Sequence, residues 1–323
     1  MRRKLCGNLS TVNEVIVTHS IHPELLRRRV RVLVVGCGGS GSAVVGGLPF
    51  LHQALIAWGH PEGFHVTVMD GDVISPSNCV RQPFSRYEVG HPKSVVLVNR
   101  LNLFWNLEWD AVPEHLVGKQ RLDRVDIVIG CVDTRAARAV IHECTSGWDA
   151  TGYWLDTGST SDAGQFILGE PLNQVNRRSR TRLRTVAELY PETVDERLDD
   201  DGFPSCSAVE ALSRQEPFVN QVIAQHALAL LARLFRYGKI SYHGGFVNLR
   251  EGGAARLAVD PLLWRRLKRR SKGKPLAEAG VALRGRRPRH AKLAADSLPS
   301  CSPKHARSEN PTLLRCSMGQ AGG

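Results

Sequence analysis

The sequence predicts an α/β protein with a Rossmann-like, doubly wound, mainly parallel sheet that has helices on both faces and is extended by C-terminal antiparallel strands. Three observations support this fold class. Short β-branched runs alternate with stretches of helical periodicity. The first run, residues 30–35, leads directly into a glycine-rich loop, and acidic residues follow later runs where parallel strands would end.

The first half of the chain is expected to form the nucleotide-binding part of the sheet. Residues 30–35 (VRVLVV) read as a buried strand, and the helix that follows from Gly39 should be kinked or interrupted at Pro49. The other elements expected here are a strand at 65–69, a helix at 93–103, strands near 107–112 and at 125–130, and a helix at 134–144. Strands and helices thus alternate along this half, as a doubly wound sheet requires.

The second half is expected to add further strands to the sheet and to end in a segment outside the domain. Strands are expected at 153–157 and 164–168, a helix at 217–236 that ends at Gly238, and a hairpin of 240–249 with 254–259. The polar stretch 171–216 is interpreted as a mobile crossover loop. The predicted organisation is therefore an N-terminal segment at 1–29, one α/β domain at 30–264, and a basic, disordered tail at 265–323.

The net charge of +12 is concentrated in that tail. Residues 265–323 hold 15 of the 43 Lys and Arg but only 3 of the 31 Asp and Glu, which leaves 28 of each sign in the preceding part. The charge therefore predicts contact with nucleic acid only through the tail.

The cysteines and the apolar segments indicate a cytoplasmic protein. The eight cysteines form no CxxC pair and no Cys/His group with zinc-ligand spacing, so no structural zinc is expected. The most apolar long segment, 218–235, contains polar residues such as Asn220 and Arg233 that would be costly in lipid. We therefore expect a buried helix there and no membrane contact.

The loop Gly36-Cys37-Gly38-Gly39-Ser40-Gly41 indicates a nucleotide site. Its glycines allow a tight turn and close backbone approach to phosphate, and its N–H groups lie at a helix N-terminus that favours anions. Asp70, at the end of the next strand, is placed to bond ribose hydroxyls. These features fit NAD, FAD and ATP equally, and they also fit a tight turn without a ligand.

Two basic residues favour ATP among these nucleotides. Arg81 can grip phosphate oxygens as a fork, and Lys93 can neutralise charge on a leaving pyrophosphate, although either residue alone also fits an ordinary surface charge. Asp133 follows the strand at 125–130 and should lie at the same sheet edge as the glycine loop. It could hold Mg²⁺ or cap the following helix.

The ordered set of these residues resembles the ThiF/MoeB/HesA family, the bacterial relatives of ubiquitin-activating enzymes. The resemblance covers about residues 30–250. Its matching residues are Gly36 to Gly41, Asp70-Gly71-Asp72, Ser77-Asn78, Arg81-Gln82, Gly90-His91-Pro92-Lys93, Cys131-Val132-Asp133-Thr134 and Gly164-Gln165. Within that family, the segment Pro204-Ser205-Cys206-Ser207 and the helix after it are most similar to the ThiF-type proteins of PRTRC gene systems on mobile elements.

The resemblance implies an enzyme that uses Mg·ATP to adenylate the C-terminal carboxylate of a small ubiquitin-like or sulfur-carrier protein, with release of pyrophosphate. It implies catalytic roles for Arg81, Lys93 and Asp133, with Asp133 holding Mg²⁺, and it marks Cys206 as a candidate nucleophile for a thioester or persulfide. The nucleotide-binding set that it implies is Gly36, Gly38, Gly39, Gly41, Asp70, Asp72, Ser77, Asn78, Arg81, Gln82, Lys93, Asp133 and Thr134. A homodimer is also implied.

The chain departs from the family pattern at several places. About ten extra residues separate Gly41 from Asp70, and the usual Asp-Asn pair is Asp133-Thr134. The zinc cysteines are missing, and the N-terminal arginine that relatives send into a partner's site has no clear counterpart among Arg27, Arg28 and Arg29. The competing hypotheses are a NAD- or FAD-dependent oxidoreductase and a non-catalytic nucleotide-binding component of a mobile-element protein system.

Overall fold

The computed structural model describes residues 17–118, 122, 124–147, 151–179, 181–199 and 216–270, which all fall in one unit, Met1–Ala279. The strands in this part are β1 His19–Ser20, β2 Val30–Val35, β3 Phe64–Met69, β4 Asp110–Val112, β5 Ile127–Gly130, β6 Tyr153–Ser159, β7 Ala163–Gly169, β8 Lys239–Ile240, β9 Tyr242–Asn248 and β10 Gly253–Ala258. The α-helices are α1 Gly39–Ala57, α2 Lys93–Trp105, α3 Arg135–Thr145, α4 Val186–Leu189, α5 Val219–Tyr237 and α6 Pro261–Arg270.

Eight of these strands form one mixed sheet in the order β10-β9-β7-β6-β5-β2-β3-β4. The strands from β4 to β6 along this order pair in parallel, whereas β7, β9 and β10 pair antiparallel. The short strands β1 and β8 form a separate antiparallel pair. The predicted fold class is therefore confirmed, including the C-terminal antiparallel extension.

The sheet centre is buried because helices cover its two faces. Val32, Leu33 and Val34 of β2 are buried, as expected for a parallel strand with apolar side chains on both sides. Helix α1 packs extensively on α5. Of the kink or interruption predicted at Pro49, the interruption is wrong, since the helix continues to Ala57 with Pro49 buried within it. Burial of the apolar side chains around the proline keeps the helix intact.

Part of the stretch interpreted as a mobile loop is packed against the domain. Leu183, Val186 and Leu189 are buried, and the Arg182 guanidinium donates to both carboxylate oxygens of Glu188 at 2.8 and 2.6 Å. The loop prediction is therefore wrong for residues 182–189, because Val186 and Leu189 of the short helix α4 and Leu183 before it bury their apolar side chains in this charged sequence. Residues 200–215 of the same stretch lie outside the described residues.

The predicted start of the tail falls inside a helix. Helix α6 continues to Arg270, and Trp264 is buried with its indole Nε1 donating to His243 Nε2 at 3.1 Å. The boundary at 264 is therefore wrong, since the apolar side of this arginine-rich helix is anchored to the domain. The remaining tail, 271–323, and residues 1–16 lie outside the described residues. No helix in the described ranges is both long and apolar enough to cross a membrane.

Candidate active site

Three strands that are adjacent in the sheet end together at its carboxyl edge. The backbone N–H of Gly36, after β2, donates to the carbonyl of Met69 at 2.9 Å, and the N–H of Cys131, after β5, donates to the carbonyl of Val35 at 2.8 Å. The glycine loop, Asp70 and the segment before Asp133 are thus brought to one edge, as the sequence predicted.

The glycine loop is tightly packed on one side and open on the other. Gly36 has a φ of +96°, and a Cβ there would lie 2.7 Å from the carbonyl oxygen of Cys131. A Cβ on Gly41 would lie 1.9 Å from the carbonyl oxygen of Gly36. Gly38, which caps α1 without any side-chain hydrogen bond, has open space where its Cβ would be. The N–H groups at the start of α1 have no side-chain acceptor from the N-cap residue, so this helix N-terminus fits an anionic phosphate.

Asp70 holds this loop in place. Its Oδ2 accepts the backbone N–H of Cys37, and its Oδ1 accepts the N–H of Asp72 at 2.8 Å. Burial raises the pKa of Asp70, while these two hydrogen bonds and the positive charge of Lys93 oppose that shift. Each carboxylate oxygen keeps a lone pair, so the arrangement still fits a ribose hydroxyl.

Lys93 begins α2 at the same edge and is paired with Asp72. Its Nζ lies 2.8 Å from Asp72 Oδ2, and its backbone N–H donates to the Asp72 carbonyl at 3.0 Å. His115 Nε2 lies 3.8 Å from the other carboxylate oxygen of Asp72. Asp72, expected in the nucleotide-binding set, thus positions the ammonium group that a phosphate would share.

The segment with the other predicted residues forms a turn organised by Asn78. The side-chain Oδ1 of Asn78 accepts the N–H of Ser75 at 2.9 Å, and its carbonyl accepts the N–H groups of Arg81 and Gln82 at 3.2 and 2.9 Å. Ser77 Oγ lies 2.9 Å from Ser75 Oγ. Asn78 and Ser77 therefore support the turn that presents Arg81 and Gln82, both of which are half-buried.

Two roles were considered for Asp133, capping the following helix and holding Mg²⁺, and Thr134 performs the first of them. Thr134 is the N-cap of α3, and its Oγ1 accepts the N–H of Ala137 at 3.2 Å, so Asp133 does not cap the helix. The carboxylate of Asp133 is exposed. No group of three or more metal-ligating side chains occurs in the part of the chain that is described. A single carboxylate fits Mg²⁺ that arrives with ATP, because phosphate oxygens and water supply the other ligands.

Sequence reasoning missed Asp199, which lies at the start of α3. Its Oδ1 and Oδ2 accept the N–H groups of Arg135 and Ala136 at 2.8 and 2.9 Å, at the start of α3. Although desolvation opposes it, the net effect of these bonds and of the Arg135 charge is to lower the pKa of Asp199. Asp199 belongs to the acidic run at 195–201, so its sequence context gave no signal that distinguished it from its neighbours.

Asn220 and the pair Arg138–Asp156 were also missed. Asn220 Oδ1 accepts from Ser40 Oγ at 2.8 Å and from Ser159 Oγ at 3.0 Å, so α5 is linked to the glycine loop. Arg138 Nε donates to the buried Asp156 at 2.8 Å, and its Nη2 donates to the carbonyl that precedes Asp133 at 3.0 Å. Asn220 is one of several polar residues in the segment 218–235, so its sequence context did not distinguish it.

The thiols close to this edge are not activated. Burial raises the pKa of Cys37 well above its ordinary value and raises that of Cys131 to about 12. Both are therefore protonated at neutral pH and act as packing groups. Cys206, the candidate nucleophile, lies outside the described residues.

A protein-family model decides between the families that a glycine loop allows. The model of the ThiF family matches residues 23–252, which is more than half of the chain. The chain belongs to the ThiF family. Membership in the ThiF family supports ATP-dependent adenylation of the kind carried out by E1-like enzymes. The PRTRC placement and the roles of individual residues stay predictions.

Solved structures are similar to this chain at low sequence identity. They include PaaA, at 14% identity and a TM-score of 0.48, and E. coli MccB with succinimide, at 17% and 0.44, each covering 71% of this chain. E. coli MccB with ATP has 19% identity and a TM-score of 0.46 over 72% of this chain. The chain spans 64% of the length of each of these proteins. No curated protein sequence is significantly similar to this chain.

Proposed function

We propose that this chain is an ATP-dependent adenylating enzyme that activates the C-terminal carboxylate of a small ubiquitin-like or sulfur-carrier protein. The observation that carries the proposal is the arrangement at the carboxyl edge, where the uncapped N-terminus of α1 lies beside the Asp70 anchor and the Lys93–Asp72 pair. Membership in the ThiF family supports adenylation in general, and the protein carboxylate is the further step that we propose.

In this proposal each group acts on a defined part of the nucleotide. The N–H groups at the start of α1 bind phosphate oxygens, and Asp70 accepts the ribose hydroxyls. Lys93 and Arg81 neutralise charge on the α-phosphate and on the departing pyrophosphate. Asp133 holds Mg²⁺, which supplies further neutralisation of the triphosphate when it is bound.

The reaction is an in-line displacement at the α-phosphorus. A carboxylate oxygen of the protein substrate forms the new P–O bond, and the bond to the pyrophosphate oxygen breaks, giving an acyl adenylate and pyrophosphate. The attacking carboxylate is already ionised at neutral pH, so the step requires positioning and charge neutralisation rather than a general base.

Pyrophosphate exchange tests this proposal. Incubation of the protein with labelled pyrophosphate, ATP and a candidate ubiquitin-like protein should transfer label into ATP, and omission of that protein should abolish the exchange. A substrate protein that lacks its C-terminal carboxylate is the matched control. Binding of NADH without binding of ATP would overturn the proposal in favour of an oxidoreductase, for which Arg81 and Lys93 have no evident use.

The steps after adenylation rest on Cys206. We propose that its thiolate attacks the acyl adenylate and displaces AMP to form a thioester. Cys206→Ala should retain pyrophosphate exchange and lose a conjugate that thiols cleave, whereas an unchanged conjugate would exclude Cys206 as the nucleophile.

The homodimer and the cytoplasmic location stay predictions, testable by sedimentation and by cell fractionation. The basic tail as a nucleic-acid contact also stays a prediction.

A further inference from the structure

A cavity lies at the amino edge of the sheet, opposite the candidate active site. Its volume is about 660 Å³, and its walls include the segments that lead into β2, β3, β5 and β6. Strand β2, which joins the two edges, has six residues, so at about 3.3 Å per residue the cavity and the glycine loop are roughly 20 Å apart. The cavity is therefore separate from the nucleotide site.

Four arginines line this cavity, and they come from two distant parts of the sequence. Arg28 is held by Asp126 through two hydrogen bonds of 2.8 and 2.7 Å, and Arg29 is paired with Glu62 at 3.1 Å. The guanidinium groups of Arg31 and Arg124 make no ion pair or hydrogen bond with any described residue. Two cationic groups beside the cavity are thus available to a ligand.

Asp126 gives this cluster a fixed geometry. The residue is buried, and its Oδ2 accepts the backbone N–H of Arg31 at 2.9 Å in addition to the bond from Arg28. The Asp126 backbone N–H donates to the Arg31 carbonyl at 2.9 Å. The side-chain hydrogen bond with Asp126 raises the pKa of Arg28. A guanidinium that is already oriented loses less entropy when it binds an anion.

The backbone at Arg124 is strained. Arg124 has a φ of +63°, and within the described ranges Asn106 is the one other non-glycine residue with positive φ. Such a conformation costs on the order of 1 kcal/mol for a residue with a Cβ, and strained residues of this kind cluster at ligand sites. The chain keeps an arginine at a position where glycine would relieve the strain.

The charge around the cavity favours an anion. The four lining guanidinium groups face three lining carboxylates, those of Glu24, Glu62 and Asp126. The lining residue Val175 leads into the exposed Arg177 and Arg178, whose side chains have no ion pair within the structure as described.

We propose that this cavity binds a small anion that carries several phosphate groups. Guanidinium forks match phosphate oxygens in geometry and charge, so Arg31 and Arg124 would each bind phosphate beside the fixed Arg28. The cavity has the size of a small-molecule site, and its charged lining selects a charged ligand over an apolar one. This proposal is independent of the adenylation activity.

Calorimetric titration of the full chain with inorganic tripolyphosphate tests the proposal. The decisive variant is Arg31→Gln with Arg124→Gly, because it removes both of these guanidinium groups, breaks no ion pair with a described residue and relieves the strain at residue 124. Arg256→Gln, an exposed arginine on β10, is the matched control. We expect two binding sites in the wild type and in the control. In the double variant we expect affinity at one site to fall about 100-fold, since each charge-assisted hydrogen bond contributes about tenfold or more.

The remaining results separate this site from the nucleotide site. Lys93→Met should weaken the other site and leave the cavity site intact. If the nucleotide site binds no tripolyphosphate, the wild type should show one site that the double variant removes, which still supports the proposal. Identical isotherms for the wild type and a folded double variant would overturn it. Loss of short duplex DNA binding with unchanged tripolyphosphate binding would also overturn it, because the surface would then serve nucleic acid.

Discussion

Lys93 Nζ lies 2.8 Å from Asp72 Oδ2, and the two side chains differ in exposure, at 7% for Lys93 and 55% for Asp72. Removal of the lysine leaves Asp72 hydrated and the buried Asp70 still bonded to two backbone N–H groups, so we expect Lys93→Met to lower the free energy of unfolding by less than about 1 kcal/mol. The same change should reduce pyrophosphate exchange about 10²- to 10³-fold, because a charge that stabilises the transition state is lost. Urea unfolding and exchange assays measure the two effects.

Asp72→Asn is the matched control, because it removes the exposed partner of this pair instead of the buried one. It leaves the buried ammonium of Lys93 without its carboxylate, so the variant should be less stable than Lys93→Met by about 1–3 kcal/mol. A Lys93→Met protein that unfolds more readily than Asp72→Asn would mean that Lys93 serves the fold rather than the nucleotide.

Two glycines of α1 provide a second test because they differ in their surroundings. A Cβ at Gly41 would lie 1.9 Å from the carbonyl oxygen of Gly36, whereas a Cβ at Gly46 would meet no atom within 4 Å. Gly41→Ala should therefore displace the loop and lower ATP affinity by at least about tenfold, as for the loss of one good phosphate contact. Gly46→Ala should stabilise the protein by about 0.5–1 kcal/mol through helix propensity.

Calorimetric ATP titrations and thermal unfolding of both glycine variants check these expectations. Equal ATP affinity of Gly41→Ala and Gly46→Ala would show that the loop can move without loss of the site.

The order of elements was accessible from the sequence because it depends on local patterns. The run at 30–35, the glycines after it and the helical periodicity from Gly39 are all contained within short windows, and the structure reproduces them as β2 and α1. The position of Asp70 followed from the rule that parallel strands end at one edge. These features need no knowledge of distant contacts.

The missed residues act through contacts between distant parts of the chain. Asn220 and Ser40 are 180 residues apart, and Asp199 and Arg135 are 64 apart. Neither pair has a spacing that periodicity can reveal. Trp264 was hidden for a related reason, since the arginines around it dominate the composition while its indole bonds to His243, 21 residues away. Tertiary partners, rather than local propensity, determine these positions.

The carboxylate of Asp199 supplies the cap of α3 together with Thr134. Asp199→Ala leaves two N–H groups at the helix start without an acceptor and should cost about 1 kcal/mol, as measured for other helix caps. Asp199→Asn keeps one acceptor oxygen and should lose less. Because the pKa of Asp199 is lowered by folding, its contribution is present above the unfolded pKa and is lost as pH falls through the folded pKa.

Thermal unfolding of the two Asp199 variants at neutral and acidic pH measures this contribution. The difference between Asp199→Ala and the wild type should shrink at acidic pH, where the carboxyl is protonated. A difference that stays constant across this range would argue for a packing role instead of a charged cap.

His243 should make the stability of the whole domain depend on pH. The residue is fully buried, with Nδ1 donating to the Leu168 carbonyl at 2.7 Å and Nε2 accepting from Trp264 Nε1, so it is neutral in the fold. Burial lowers the pKa of His243 to about 4. In the unfolded chain it takes up a proton near pH 6.5, so stability present above that pH should decline by up to about 3 kcal/mol as the pH falls toward 4.

His243→Gln can donate to and accept from the same partners without titrating. Its free energy of unfolding should therefore fall less steeply between pH 6.5 and 4 in urea titrations. His226→Gln, at an exposed position on α5, should keep the wild-type slope. If His243→Gln also keeps that slope, protonation of other groups controls the acid sensitivity.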